Sequence, residues 1–217
     1  MYVPDCFAMN DLDAVAAFVA RSGAADLVTF DGARPAATLL PVIWDRSGGG
    51  NGRLLGHMAL ANRQWSTAAP GAEGLAIVHG PQAYVSPSWY PSKAEHGRAV
   101  PTWNYVSVHF TGPVTFHRDE AWLRDVVTRL TDLHEARRLP DGAAERWHVT
   151  DAPERYIAGQ LRAIVGVELA VTSVEAKAKL SQNRPEADRA SVAAALRAAP
   201  EAGARAVGEL MDASAPG

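Results

Sequence analysis

The chain has 217 residues, 47% of them hydrophobic, which is long enough for one domain with a substantial core. Its net charge of -3 and pI near 6.2 argue against a nucleic-acid partner, and its single cysteine, Cys6, excludes an internal disulfide or a Cys-based zinc site. No apolar run is long enough to cross a bilayer and the start MYVPDCF has no basic, apolar leader, so a cytoplasmic protein with no membrane partner is expected.

Asp11 is a good N-cap for a helix over roughly 12–21, with Leu12, Val15, Ala16 and Val19 on one face. Ala25 to Phe30 reads as a strand, Asp31-Gly32 as a hairpin turn and Ala36 to Trp44 as its partner. The glycine loop Ser47 to Gly52 lacks the Lys-Ser/Thr of a phosphate-cradling loop and reads as a flexible turn. Arg53 to Met58 is the next strand, Leu60 to Trp65 a short helical piece, and Gly74 to His79 a strand leading into residues 79–112.

That stretch is the most distinctive in the chain. Val78 to Val85 alternates weakly, and each proline of Ser86-Pro87-Ser88-Trp89-Tyr90-Pro91 holds its predecessor extended. Trp103 to Phe110 then alternates as a strand, with Trp103, Tyr105, Ser107 and His109 on one face and Asn104, Val106, Val108 and Phe110 on the other. An aromatic wall beside Lys93, His109 and several hydroxyls suits a flat anionic ligand. It equally suits a Trp-rich barrel core with a stiff loop.

Asp119 caps a helix from Glu120 to about Arg137, with Trp122, Val126, Leu130 and Leu133 inward. Asp151-Ala152-Pro153-Glu154 opens a shorter helix, and Ile164 to Val174 reads as one long buried strand. A polar turn, Lys177 to Pro185, stops it; helices follow over Glu186 to Ala199 and Glu201 to Met211, with a frayed end beyond. The pattern predicts a single α+β domain over 1–217, an antiparallel barrel with helical additions at 11–21, 119–137 and 186–212.

The motifs MYVP, GHMALANRQW (56–65), GPQAYVSPSWYPSK (80–93), VPTWNYVSVH (100–109), LTDLHE (130–135), AIVGVEL (163–169) and KLSQNR (179–184) occur in that order. Together they resemble the PaiB-like family, described as FMN-binding negative transcriptional regulators. The resemblance implies a split β-barrel of the FMN-binding and pyridoxamine-oxidase type, a homodimer with ligand sites at the subunit interface. Within that family the chain is most similar to haem-dependent piperazate synthases, which close an N–N bond in N-hydroxyornithine. Three positions depart from the usual regulator pattern: Leu39 stands where His is common, Arg63 where Pro is common and Ala178 where Trp is frequent.

The resemblance points to His57 as axial ligand of b-type haem, with FMN as the alternative cofactor and an amino acid as substrate. His109 is the rival ligand and His79 the third. Lys93 and His109 join His57 as catalytic candidates. Cofactor contacts are expected from His57, Trp65, Ser88, Trp89, Tyr90, Lys93, Trp103, Asn104, Lys179, Gln182 and Asn183. A Gly-x-Ser-x-Gly elbow, a His-Glu-x-x-His pair and a helix-turn-helix signature are all missing.

Overall fold

The computed structural model describes residues 1–69, 71–138 and 145–213. Its strands are β1 (Ala24–Phe30), β2 (Pro35–Asp45), β3 (Arg53–Ala59), β4 (Glu73–Val85), β5 (Thr102–His117), β6 (Ile164–Ala170) and β7 (Ser173–Lys179). The helices are α1 (Leu12–Ser22), α2 (Gln64–Thr67), α3 (Lys93–His96), α4 (Glu120–Arg138), α5 (Glu154–Leu161), α6 (Glu186–Arg197) and α7 (Ala202–Ala213). The sheet order is β4-β1-β2-β3-β6-β5-β7, and β4 also pairs with β5. Six strands therefore form a closed cycle, which removes the open edges that a free sheet exposes.

The chain forms two compact units: residues 13–78 with 109–174, and residues 1–12 with 79–108 and Glu175 onward. β4 has 13 residues and β5 has 16, well beyond the usual five or six or so, and the chain of each contributes to both units.

In the first unit, β1 alternates strictly between half-buried and buried positions. Val165, Val167 and Leu169 of β6 are likewise buried together on one face. Phe110 is fully buried and meets Trp44 edge-on at 4.9 Å. The opposite face of β3 is covered by α4, where Leu55 packs with Val126 and Leu130. Leu123 of α4 continues this layer with Val149, Ile157 and Leu161.

In the second unit, α6 and α7 pack on each other, with Val192, Ala193 and Leu196 buried on one and Val207 and Met211 on the other.

The long strand expected at 164–174 is broken. β6 ends at Ala170 and β7 starts at Ser173. The cause is a close backbone crossing: a Cβ on Gly112 would lie 1.9 Å from the Ala170 carbonyl oxygen. The turn expected from Lys177 starts only at Leu180, because Lys177 and Lys179 lie in β7. Lys177 is buried there, its ammonium on the Tyr2 carbonyl at 3.0 Å and 5.2 Å from the Tyr105 ring. A cation given both a carbonyl and aromatic faces tolerates such a position. Residues 214–217 of the expected frayed end lie outside the described residues. Among the described residues no helix is long and apolar enough to cross a membrane.

Candidate functional site

The candidates fall into two groups. His57, Trp65 and His109 belong to the first unit; Ser88, Trp89, Tyr90, Lys93, Trp103, Asn104, Lys179, Gln182 and Asn183 belong to the second.

His57 lies in β3 opposite Gly166 of β6, and Gly166 lies opposite His117 of β5. Residues paired across antiparallel strands project to one face. His57, Gly166 and His117 thus form a row, its ends about 10 Å apart at the usual strand spacing. Trp122 of α4 fills the centre of that row: a Cβ on Gly166 would lie 2.1 Å from its ring. The indole stacks on His117 at 4.2 Å and 15°. His117 Nε2 is 3.1 Å from Glu168 Oε2, whose other oxygen is 3.8 Å from Arg53.

His57 itself is half-buried. Burial lowers its pKa and so favours the neutral ring. Among the described residues it has no hydrogen-bond, ion-pair or ring partner. His109, its rival, is half-buried but engaged. The neighbouring Gly56 serves the sheet. A Cβ there would lie 2.7 Å from the Pro41 carbonyl oxygen, so this glycine lets β2 and β3 approach. The space over Gly166, beside His57, is taken by the Trp122 indole.

Several motif residues serve the fold. Gln64 is buried, its Nε2 3.0 Å from the Leu27 carbonyl oxygen and 3.1 Å from the Ala36 carbonyl oxygen and Thr29 Oγ1. The Trp65 indole donates to the Leu60 carbonyl at 2.9 Å while Arg118 lies over its ring. Arg63 precedes α2 at φ -74°, an angle proline also holds, so the departure at that position leaves the turn unchanged.

The Ser-Pro-rich loop of the second unit is tied down by Asp188, which is 2% exposed and accepts from the Ser92 amide at 3.0 Å and its hydroxyl at 2.6 Å. Ser86 caps the 3-10 turn Pro87–Trp89, and Ser88 is exposed. Lys93 is exposed, with no partner among the described residues. Trp89 and Trp103 line one groove, described further below.

Four of the expected cofactor contacts have neighbours within the second unit. Tyr90 is buried beneath Arg184, 5.0 Å from its ring, and burial raises its pKa. Asn104 is fully buried and donates to Ser181 Oγ at 2.9 Å. Lys179 Nζ donates to Thr102 Oγ1 and the Trp103 carbonyl, both at 2.6 Å; burial first, then Lys177 and Arg184, lowers its pKa. Gln182 accepts from the Leu180 amide at 2.7 Å and donates to the Ala178 carbonyl at 2.6 Å, closing its own turn. That turn holds Ser181 at φ 64°, a strained position for a residue with a Cβ. Asn183 remains exposed.

The row of Gly166, Trp122 and His117 escapes sequence reading. The available signal is the alternation of Gly166 and Glu168 on one face of β6; the register that aligns them with His57 and His117 is set by pairing between strands.

Beside this row, Asp45 is 8% exposed and held at a pKa of about 2. The Ser47 hydroxyl and amide are the main cause and Arg129, at 3.0 Å, contributes, against the opposing effect of burial. A carboxyl with a depressed folded pKa stabilises above its unfolded value near 4, and that stability is lost as pH falls through about 2. Between pH 5 and 2 the wild type should lose about 2 kcal/mol more than Asp45→Asn. Urea denaturation across that range measures it; parallel profiles would contradict it.

Residues 1–173 match the family described as "Putative FMN-binding domain". The chain belongs to this family. Over 213 residues it is 31% identical to the protease synthase and sporulation protein PAI 2 of Bacillus subtilis, covering 98% of this chain and 97% of that one. Solved structures are similar at lower identity. The flavocytochrome Anf3 from Azotobacter vinelandii aligns with a TM-score of 0.55 at 18% identity, over 85% of this chain and 75% of that one. A FAD and haem binding protein from Mycobacterium smegmatis aligns with a TM-score of 0.53 at 15% identity, over 79% and 72%. With the closed strand cycle and the family match, these likenesses give the chain a split-barrel fold of the FMN-binding type.

Proposed function

We propose that the chain holds b-type haem on His57 and acts, as a homodimer, as a haem-dependent piperazate synthase that cyclises N-hydroxyornithine to piperazic acid. The observation that carries the reading is the state of His57: half-buried, kept neutral by desolvation and without a partner among the described residues. A neutral imidazole with an available ring nitrogen is the form that ligates iron. No group of three or more His, Cys, Asp or Glu among the described residues could hold a metal ion. A porphyrin, which brings four nitrogen ligands of its own, needs only one or two from the protein. Two structural neighbours, the flavocytochrome and the FAD and haem binding protein, support a haem reading for this fold.

Bound haem supplies a Lewis-acidic iron that makes a hydroxylamine nitrogen electrophilic. In the reaction the N–N bond forms and the N–O bond breaks; the α-amine loses a proton and the hydroxyl leaves as water. The protein's part is to fix the substrate within attack distance and to move two protons. In this reading Lys93 and His109 are the candidates for these two proton transfers, one as donor to the leaving oxygen and the other as base for the amine proton. Incubation of haem-loaded protein with N-hydroxyornithine should yield a product lighter by one water, with an N–N bond visible by 15N labelling. Release of ornithine alone, or no turnover with haem bound, would contradict the reaction.

The family description supports FMN as the cofactor of a second reading, in which the chain is a regulator or a flavin-dependent reductase. A flavin spectrum with no Soret band in the protein reconstituted with both cofactors would decide for it.

A further inference from the structure

We infer that the groove between the Tyr84–Trp103 corner and the α6–α7 turn binds an organic ammonium ion carrying an apolar body. The groove has a volume of about 490 Å³, within the range of small-molecule sites. Tyr84 and Trp103 are 47% and 46% exposed, unusual for two large rings in contact, since such area is normally buried or used. Their rings are 6.3 Å apart and inclined at 63°, so they form an open corner, with Trp89 as a further wall.

The corner is rigid. Trp103 Nε1 donates to Gln82 Oε1 at 3.0 Å, which fixes the indole and leaves the Gln82 amide nitrogen as a donor at the groove. Across from the rings stand small residues, Ala195, Ala199 and Gly203, which leave room for an apolar body.

The one charged residue of the lining is Glu201, exposed and without an ion-pair partner among the described residues; the lining contains no Lys or Arg. Aromatic faces with one carboxylate attract a cation within about 6 Å of the ring centroids. With no Lys or Arg in the lining, the corner favours a cation over an anion, unlike a site built for a flavin phosphate or a haem propionate. It does not depend on the cofactor proposed for His57.

The test is titration of the full chain by calorimetry with benzyltrimethylammonium, benzyl alcohol and phenylacetate. The cation should bind saturably at submillimolar concentration, with phenylacetate about tenfold weaker or more. Trp103→Ala and Glu201→Gln should each weaken the cation by about fivefold or more, while Glu201→Gln leaves benzyl alcohol unchanged. Both side chains are exposed, and unchanged circular dichroism would establish that the variants fold. Equal affinity for benzyl alcohol, preference for phenylacetate, no saturation at millimolar concentration, or wild-type affinity in both variants would overturn the proposal. So would the finding that Trp103→Ala dissociates a dimer whose wild type binds no cation, which would make the groove a contact between two copies.

Discussion

Gly166→Ala is expected to destabilise the protein by about 3 kcal/mol and to lower Tm by about 6–12 °C for a chain of this size. The added methyl would sit 2.1 Å from the Trp122 ring, which must leave its place on His117. Loss of the stacked pair adds about 1 kcal/mol to the overpacking. Trp122 also packs against both apolar clusters beneath α4, so its displacement opens that layer. A double-mutant cycle isolates the cause: in a Trp122→Ala background the same substitution should cost less than about 1 kcal/mol. Equal costs in the two backgrounds would show that the strand backbone, not the indole, rejects the methyl.

Gln64→Leu is expected to cost about 3–5 kcal/mol, although leucine fits the volume. The amide nitrogen serves two carbonyls and a hydroxyl from β1 and β2, and the side-chain oxygen accepts from Thr38 Oγ1. A buried polar group left without its partner costs about 1–3 kcal/mol, and here several lose theirs together. Chemical denaturation should show a lower midpoint with an unchanged slope. A loss below about 1 kcal/mol would mean that water or backbone replaces the amide.

This second case also explains what was legible in the sequence. β1 was readable because one face is buried and the period of two survives in the residues themselves. The β6–β7 break was not, since nothing near Ala170 announces that Gly112 crosses it. Polar motif residues also hold the fold together. Gln64 and Gln182 bond to backbone groups of strands and turns, and Asn104 to the Ser181 hydroxyl. Buried polar groups need partners, and a sequence pattern does not tell such a role from a ligand contact. Surface candidates such as Lys93, Ser88 and Asn183 could be placed only by the structure, since composition does not distinguish an exposed cation from a buried one. Lys177, read as part of a turn, proved to be the buried one.

The departures from the family pattern divide similarly. Arg63 is neutral for its turn, whereas Leu39 is 67% exposed on β2, an apolar side chain on a surface where histidine is common. Nothing in the structure explains that substitution.

The most direct test of the role of His57 is a parallel titration of the purified apoprotein with ferric haem and with FMN, followed by absorbance. The expected result is a saturable Soret band at one haem per chain, lost in His57→Ala and kept in His109→Ala, with FMN weakly held or unbound. Stoichiometric FMN binding without a Soret band, or a Soret band that survives His57→Ala, would contradict it.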